Sequence, residues 1–137
     1  FLDINDILEG VLRKYEVLAN QKNIKINNCL SNEKIYIGKT ALKIILSNLI
    51  SNAVKYADES GTINIGVDEE WLYIENSYGN KKSIDMEKLF EVKFDLNKET
   101  SNGLGLYIVS NLLNNYNIKY KALQNESCFV FKIELSI

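Results

Sequence analysis

A two-layer α/β sandwich, with a mixed, mainly antiparallel sheet carrying three main helices on one face, is the fold class this sequence predicts. Two observations lead there. Three stretches space their apolar residues at helical intervals, and short alternating runs, mostly paired across turns, lie between them. Helices and antiparallel hairpins in that order suit two packed layers around one core. Phe1 to Ile4 reads as a short strand, and Asn5 or Asp6 caps a helix to about Asn20. Its apolar stripe is Ile7, Leu8, Val11, Leu12, Tyr15 and Leu18. Ile24, Ile26 and Cys29 alternate with polar residues as on a half-buried strand, and Ile35 to Ile37 gives a second. Gly38 to Tyr56 is a strong helix. Ser60-Gly61 turns into a strand through Val67, and Asp68-Glu69-Glu70 turns into another from Trp71 to Glu75. Gly103 to Tyr116 is a third helix, followed by strands over Ile118 to Leu123 and Cys128 to Leu135.

Residues 77–102 break the pattern, being polar and weakly periodic, with one short helix expected near Asp85 to Phe90. A segment of that length without regular structure is usually a functional loop or disordered.

The 137 residues suffice for one domain and its core. Apolar residues at 46% and charged ones at 25% are those of a soluble globular protein. A formal charge of −2 provides no basic stripe, which argues against nucleic acid as the main partner. No apolar run approaches the roughly 20 residues of a membrane span, so no direct membrane contact is expected. Cys29 and Cys128 are expected to be small buried hydrophobes. The chain begins at Phe1 and its only methionine is Met86, which suggests a fragment of something larger. Histidine is absent, which excludes a His-based metal site, a Ser-His-Asp arrangement and a phosphoacceptor histidine within these residues.

The most informative stretch is Asn48-Leu49-Ile50-Ser51-Asn52-Ala53-Val54-Lys55-Tyr56. At about 100° per residue, Asn48, Asn52 and Lys55 fall within roughly 60° of one another on a helix. Leu42, Leu46, Leu49 and Ala53 gather on a different face. One side can enter a core while the other offers neutral oxygen ligands and a cation. That pairing suits a magnesium ion carrying phosphates, since Mg²⁺ takes few protein oxygens and keeps the rest for water and phosphate. Downstream, Gly103-Leu104-Gly105-Leu106 opens an apolar helix, where free N–H groups can meet an anion. Together they point to a nucleotide site.

With these residues in place, the chain resembles the catalytic, ATP-binding domain of bacterial two-component sensor histidine kinases, in the Bergerat-fold superfamily. The resemblance runs over nearly all of residues 1–137, as a single domain. The Asn48–Tyr56 run looks like that family's N-box, Leu89-Phe90-Glu91 like the start of its F-box, and residues 101–106 like its second glycine box. It implies ATP and Mg²⁺ as cofactors, with Asn52 as the magnesium ligand and Asn48 beside it. Lys55 would contact phosphate and Tyr56 would lie near the phosphates or ribose. Gly103, Leu104, Gly105 and Leu106 would face the phosphates, and residues about 77–102 would form the ATP lid, with Lys93 or Lys98 as candidate cations. Asn76 stands where the family places an aspartate that accepts from the adenine amino group. An amide oxygen can still accept there, without charge assistance. Tyr78 stands where the first glycine of that box is expected, with Gly79 one position later.

The resemblance also implies partners and a location. The acceptor histidine would lie on the parent's own dimerisation domain, a response regulator downstream, and the parent kinase would be a membrane-anchored homodimer with this domain in the cytoplasm. Asn48 distinguishes chemistries within the superfamily, because its ATP-hydrolysing members carry a glutamate there as general base. An amide favours transfer to a histidine, whose neutral imidazole is already nucleophilic. A degenerate nucleotide-binding module that regulates without phosphotransfer remains as an alternative, kept open by Asn76 and Tyr78. An ATP-hydrolysing Bergerat enzyme is the other, disfavoured by Asn48.

Overall fold

The structure is a computed structural model that describes residues 1–78, 101–125 and 127–135, with residues 101–104 as helix backbone. The expected short helix near Asp85–Phe90 and most of the expected lid lie outside the described residues.

Strand β1 (Leu2–Asp3) leads directly into α1 (Ile4–Gln21). Asp3 is the cap, not Asn5 or Asp6: its Oδ1 accepts from the N–H groups of Asn5 at 3.0 Å and Asp6 at 3.4 Å. The buried stripe of α1 runs Ile4, Leu8, Val11, Ala19. Leu18, expected in that stripe, is half exposed, because it lies about 80° around the helix from Leu8 while Ala19 lies about 20° away.

Next come β2 (Lys25–Asn28), β3 (Lys34–Ile35) and α2 (Lys39–Tyr56), then β4 (Thr62–Asp68) and β5 (Trp71–Ser77). The third helix, α3, covers Ser101–Asn115 and is followed by β6 (Tyr120–Gln124) and β7 (Cys128–Glu134). β1 and β3 form their own small antiparallel pair, with Leu2 opposite Ile35. The main sheet has five strands in the order β2-β4-β5-β7-β6. β2 runs parallel to β4 and every other neighbouring pair is antiparallel. Glu69, at φ 57°, closes the β4–β5 turn predicted from the acidic triplet.

Alternation decides which sheet face is covered. Ile63 and Ile65 of β4, Leu72 and Ile74 of β5, and Phe129, Phe131 and Ile133 of β7 are buried with the inner faces of all three helices in one apolar cluster. The result is the two-layer α/β arrangement with a mixed sheet and three helices among the described residues. α2 is the central helix and packs against α1, α3 and β5. One residue in the inward row of β5 is polar: Asn76, only 2% exposed.

The opposite sheet face carries a polar ladder. Asn27 Nδ2 donates to Asn64 Oδ1 at 2.8 Å, Asn64 Nδ2 to Glu75 Oε1 at 3.3 Å, and Cys128 Sγ lies 3.6 Å from Glu75 Oε2. Burial, with the neighbouring Glu75 carboxylate, pushes the Cys128 thiol above its ordinary value. Both cysteines are free, and Cys29 is exposed rather than buried as expected, because it follows β2 at the sheet edge.

Candidate functional site

A recess opens where the last two turns of α2 meet the end of β5, the start of α3 and the first half of β7. Leu49, Asn52, Ala53 and Tyr56 come from α2, Ile74 and Asn76 from β5, Leu106 from α3, and Phe129 and Phe131 from β7. The walls are apolar, and two carboxamides are set into them. The enclosed space is about 10 Å³, room for roughly one water.

Asn52 was expected on an open helix face. It is instead 7% exposed, because the recess closes around that part of α2. Its Nδ2 is fully buried and has no hydrogen-bond partner among the described residues. A buried amide group left in that state costs about 1–3 kcal/mol. The unpaired atom is a donor and so suits an acceptor on a ligand, while a cation would take the Oδ1 of the same amide.

Asn76 is oriented by its own backbone. Its Nδ2 donates to Ser77 O at 3.1 Å. Because a carbonyl only accepts, this bond fixes the amide and leaves the side-chain oxygen as the acceptor available to a ligand. Two residues on, Tyr78 is half-buried, and its N–H donates to Ser127 O at 2.8 Å, so the chain leaves β5 still tied to the β7 side.

Other predicted residues are placed differently. Asn48 does not line the recess: its Nδ2 donates to Ile44 O at 3.0 Å, within α2. Its Oδ1 sits against α3 at Gly105, where an added Cβ would come within 3.1 Å. Lys55 is exposed on the last turn of α2, and Tyr56 is half-buried as a wall. The glycine pair does not open α3 as expected, because that helix starts at Ser101; Gly103, Leu104 and Gly105 lie within its first turns. Leu106 is buried and lines the recess. Sequence reasoning missed Ile74, Phe129 and Phe131 as site residues. Their only signal was membership of the inward rows of β5 and β7, which marks core and pocket alike.

The contact between Gly105 and Asn48 sets up a test of how α2 and α3 meet. In a free helix, Gly→Ala gains about 1 kcal/mol. Gly105→Ala should gain much less, because the new methyl crowds an amide already tied to Ile44. In an Asn48→Ala background it should regain the full amount of about 1 kcal/mol. Urea unfolding of the four proteins measures this; equal gains in both backgrounds would show that the glycine is not there for the amide.

Among the described residues no cluster of three or more His, Cys, Asp or Glu could hold a metal unaided. A neutral amide in the recess fits a magnesium ion that brings its other oxygens with it, as phosphates and water. Among the described residues, no helix is long and apolar enough to cross a membrane.

A three-helix layer on a mixed sheet thus carries two carboxamides at an apolar recess. The chain belongs to the family of histidine kinase-, DNA gyrase B- and HSP90-like ATPases, whose profile matches residues 38–137. Within that family its relatives are sensor kinases. The sensor histidine protein kinase HK06 of Streptococcus pneumoniae is 34% identical over 139 residues, covering 98% of this chain and 31% of that protein. The heme sensor protein HssS of Staphylococcus aureus is 28% identical over 117 residues, 82% of this chain and 26% of its own length. The chain thus spans about a third or less of the length of these two relatives. Solved structures agree on the fold. The catalytic domain of histidine kinase ThkA matches with a TM-score of 0.69 at 22% identity, over 98% of this chain and 93% of that one. The mycobacterial sensor histidine kinase MprB matches with a TM-score of 0.73 at 16% identity, over 98% and 95%.

Proposed function

We propose that this chain binds Mg·ATP in the recess between α2, β5 and α3 and transfers the γ-phosphate to a histidine on a separate dimerisation domain of its parent kinase. The observation that carries the proposal is the convergence of two buried amides, Asn52 with its Nδ2 unpaired and Asn76 with its oxygen available, on one apolar recess. In this reading the base lies against Phe131 and Ile74 and donates its amino group to Asn76. Asn52 holds the magnesium ion, with Lys55 and Tyr56 toward the phosphates and the backbone around Gly103 to Leu106 beside them. Magnesium, when bound, neutralises phosphate charge. Catalysis rests on positioning and charge neutralisation, with little covalent work by the protein. Asn48 supplies no general base, and a neutral imidazole, already nucleophilic at its free nitrogen, needs much less help than a hydroxyl or water.

The parent is proposed to be a homodimeric, membrane-anchored bacterial kinase that passes its phosphate to a response regulator, with residues 1–137 as a single cytoplasmic domain. Neither nucleic acid nor the membrane itself is proposed as a partner. Incubating this chain together with its native upstream segment and labelled ATP should give acid-labile phosphohistidine. The chain alone should incorporate none, since it contains no histidine. Stable acid-labile phosphate on residues 1–137 alone would overturn transfer in trans. A second reading, a regulatory module that binds nucleotide without transferring phosphate, is favoured by the tight recess and by Asn76 and Tyr78. Mg·ATP binding without any phosphohistidine on the longer chain would select it.

A further inference from the structure

We propose that Lys22 is a positioning residue for the phosphate side of this site, acting through the C-terminal end of α2. The inference rests on the proposed nucleotide reading. Lys22 follows α1, far in sequence from the recess, and its ammonium meets the segment that ends α2. Nζ donates to Val54 O at 2.9 Å, Lys55 O at 3.0 Å and Ala57 O at 2.7 Å. Its backbone carbonyl accepts from the Ser60 N–H at 2.7 Å.

These contacts solve a local problem. The last carbonyls of a helix have no partner within it, and the end carries partial negative charge. α2 stops at Tyr56, and Ala57 turns to an extended conformation with φ −64° and ψ 146°. The residue at the stop is an alanine, not a glycine, and its N–H donates to Ala53 O at 2.9 Å. One ammonium has three donors, and here all three are used, on carbonyls that bracket Lys55 and Tyr56. The two residues assigned to the phosphate side therefore sit on a helix end held from outside by a charge-assisted clamp. Without it, those carbonyls lose a charged partner and the end of the helix is held less firmly. Asn52, a full turn earlier, is held by packing instead.

The test is calorimetric titration of residues 1–137 with Mg·ATP and with adenosine. Lys22→Met should weaken Mg·ATP about tenfold, or about 1.4 kcal/mol, while adenosine, which lacks phosphates, changes by less than about threefold. A clamp that served stability alone would lower Tm and leave both affinities unchanged, and that result overturns the inference. Lys22→Arg separates geometry from charge. It keeps the charge, but its planar fork cannot converge on three carbonyls as an ammonium does. It should lose about threefold toward Mg·ATP, and the same comparison stands on it alone if Lys22→Met does not fold. An arginine variant that binds like the parent would mean that charge, not placement, matters. Failure of the parent chain to bind Mg·ATP at all would instead remove the site reading beneath it.

Discussion

Asn52→Ala is expected to weaken Mg·ATP binding by about 100-fold or more, about 2.7 kcal/mol, while the empty domain becomes no less stable. The two signs differ for one reason. In the empty state the Nδ2 of Asn52 is buried without a partner, so removing the amide removes an existing penalty. In the bound state the same amide is the proposed magnesium ligand, and alanine cannot replace its oxygen. The small cavity left behind offsets part of the gain in stability, so a rise in Tm of a few degrees at most is expected. Calorimetric titration and thermal unfolding of the same variant read both effects. Unchanged Mg·ATP affinity would mean that Asn52 is a defect of packing and not a ligand. This opposition between stability and function is usual where a core has been opened to a ligand.

Asn76→Asp is expected to destabilise the empty domain by about 1–3 kcal/mol. The substitution restores a charged acceptor for the adenine amino group, and from sequence alone it should tighten binding or leave it unchanged. The structure adds a cost. At 3.1 Å from Ser77 O, a carboxylate oxygen replaces a donor and faces another acceptor. The site is almost wholly buried, so water cannot relieve the charge. The remaining oxygen still faces the recess, and an amino group arriving there neutralises part of the penalty. Saturating ATP should therefore raise Tm more in Asn76→Asp than in the parent, and GTP, with a carbonyl at that position, should not. Loss of ATP affinity in the variant would show that Asn76 donates to the base through its Nδ2.

The fold was legible in the sequence because periodicity reports burial. Ile63, Ile65, Leu72 and Ile74 alternate, and every one is in the core. Boundaries were less legible. Asp3 caps α1 although Asn5 and Asp6 are equally good capping residues, and only the pairing of Leu2 with Ile35 settles where the strand stops. The carboxamides of the site were legible as residue types out of place on an apolar helix and strand. Their environments were not. Helical spacing puts Asn48, Asn52 and Lys55 on one side, yet tertiary packing gives them three fates: one tied within α2 against Gly105, one buried in the recess, one in solvent. Lys22 was illegible for a different reason. A lysine after a helix reads as a surface charge, and its three acceptors are backbone carbonyls more than thirty residues away, at separations of 32, 33 and 35. Nothing in a sequence announces a carbonyl.

The parallel pairing of β2 with β4 has a kinetic consequence. Within the sheet, β4 with β5 and β6 with β7 are local hairpins, whose ends meet at Asp68 opposite Trp71 and Gln124 opposite Phe129. Such pairs can close in microseconds. β2 cannot reach β4 that way, because the whole of α2 lies between them and must be laid across the sheet first. β5 and β7 likewise meet only after the chain has travelled out through α3 and returned. The helix that bears Asn48 and Asn52 is thus the spacer of one of the two long-range closures in the sheet and α3 lies within the other, so the recess between them depends on contacts that form late. A nascent or partly unfolded molecule can hold its hairpins and still have no place for a nucleotide.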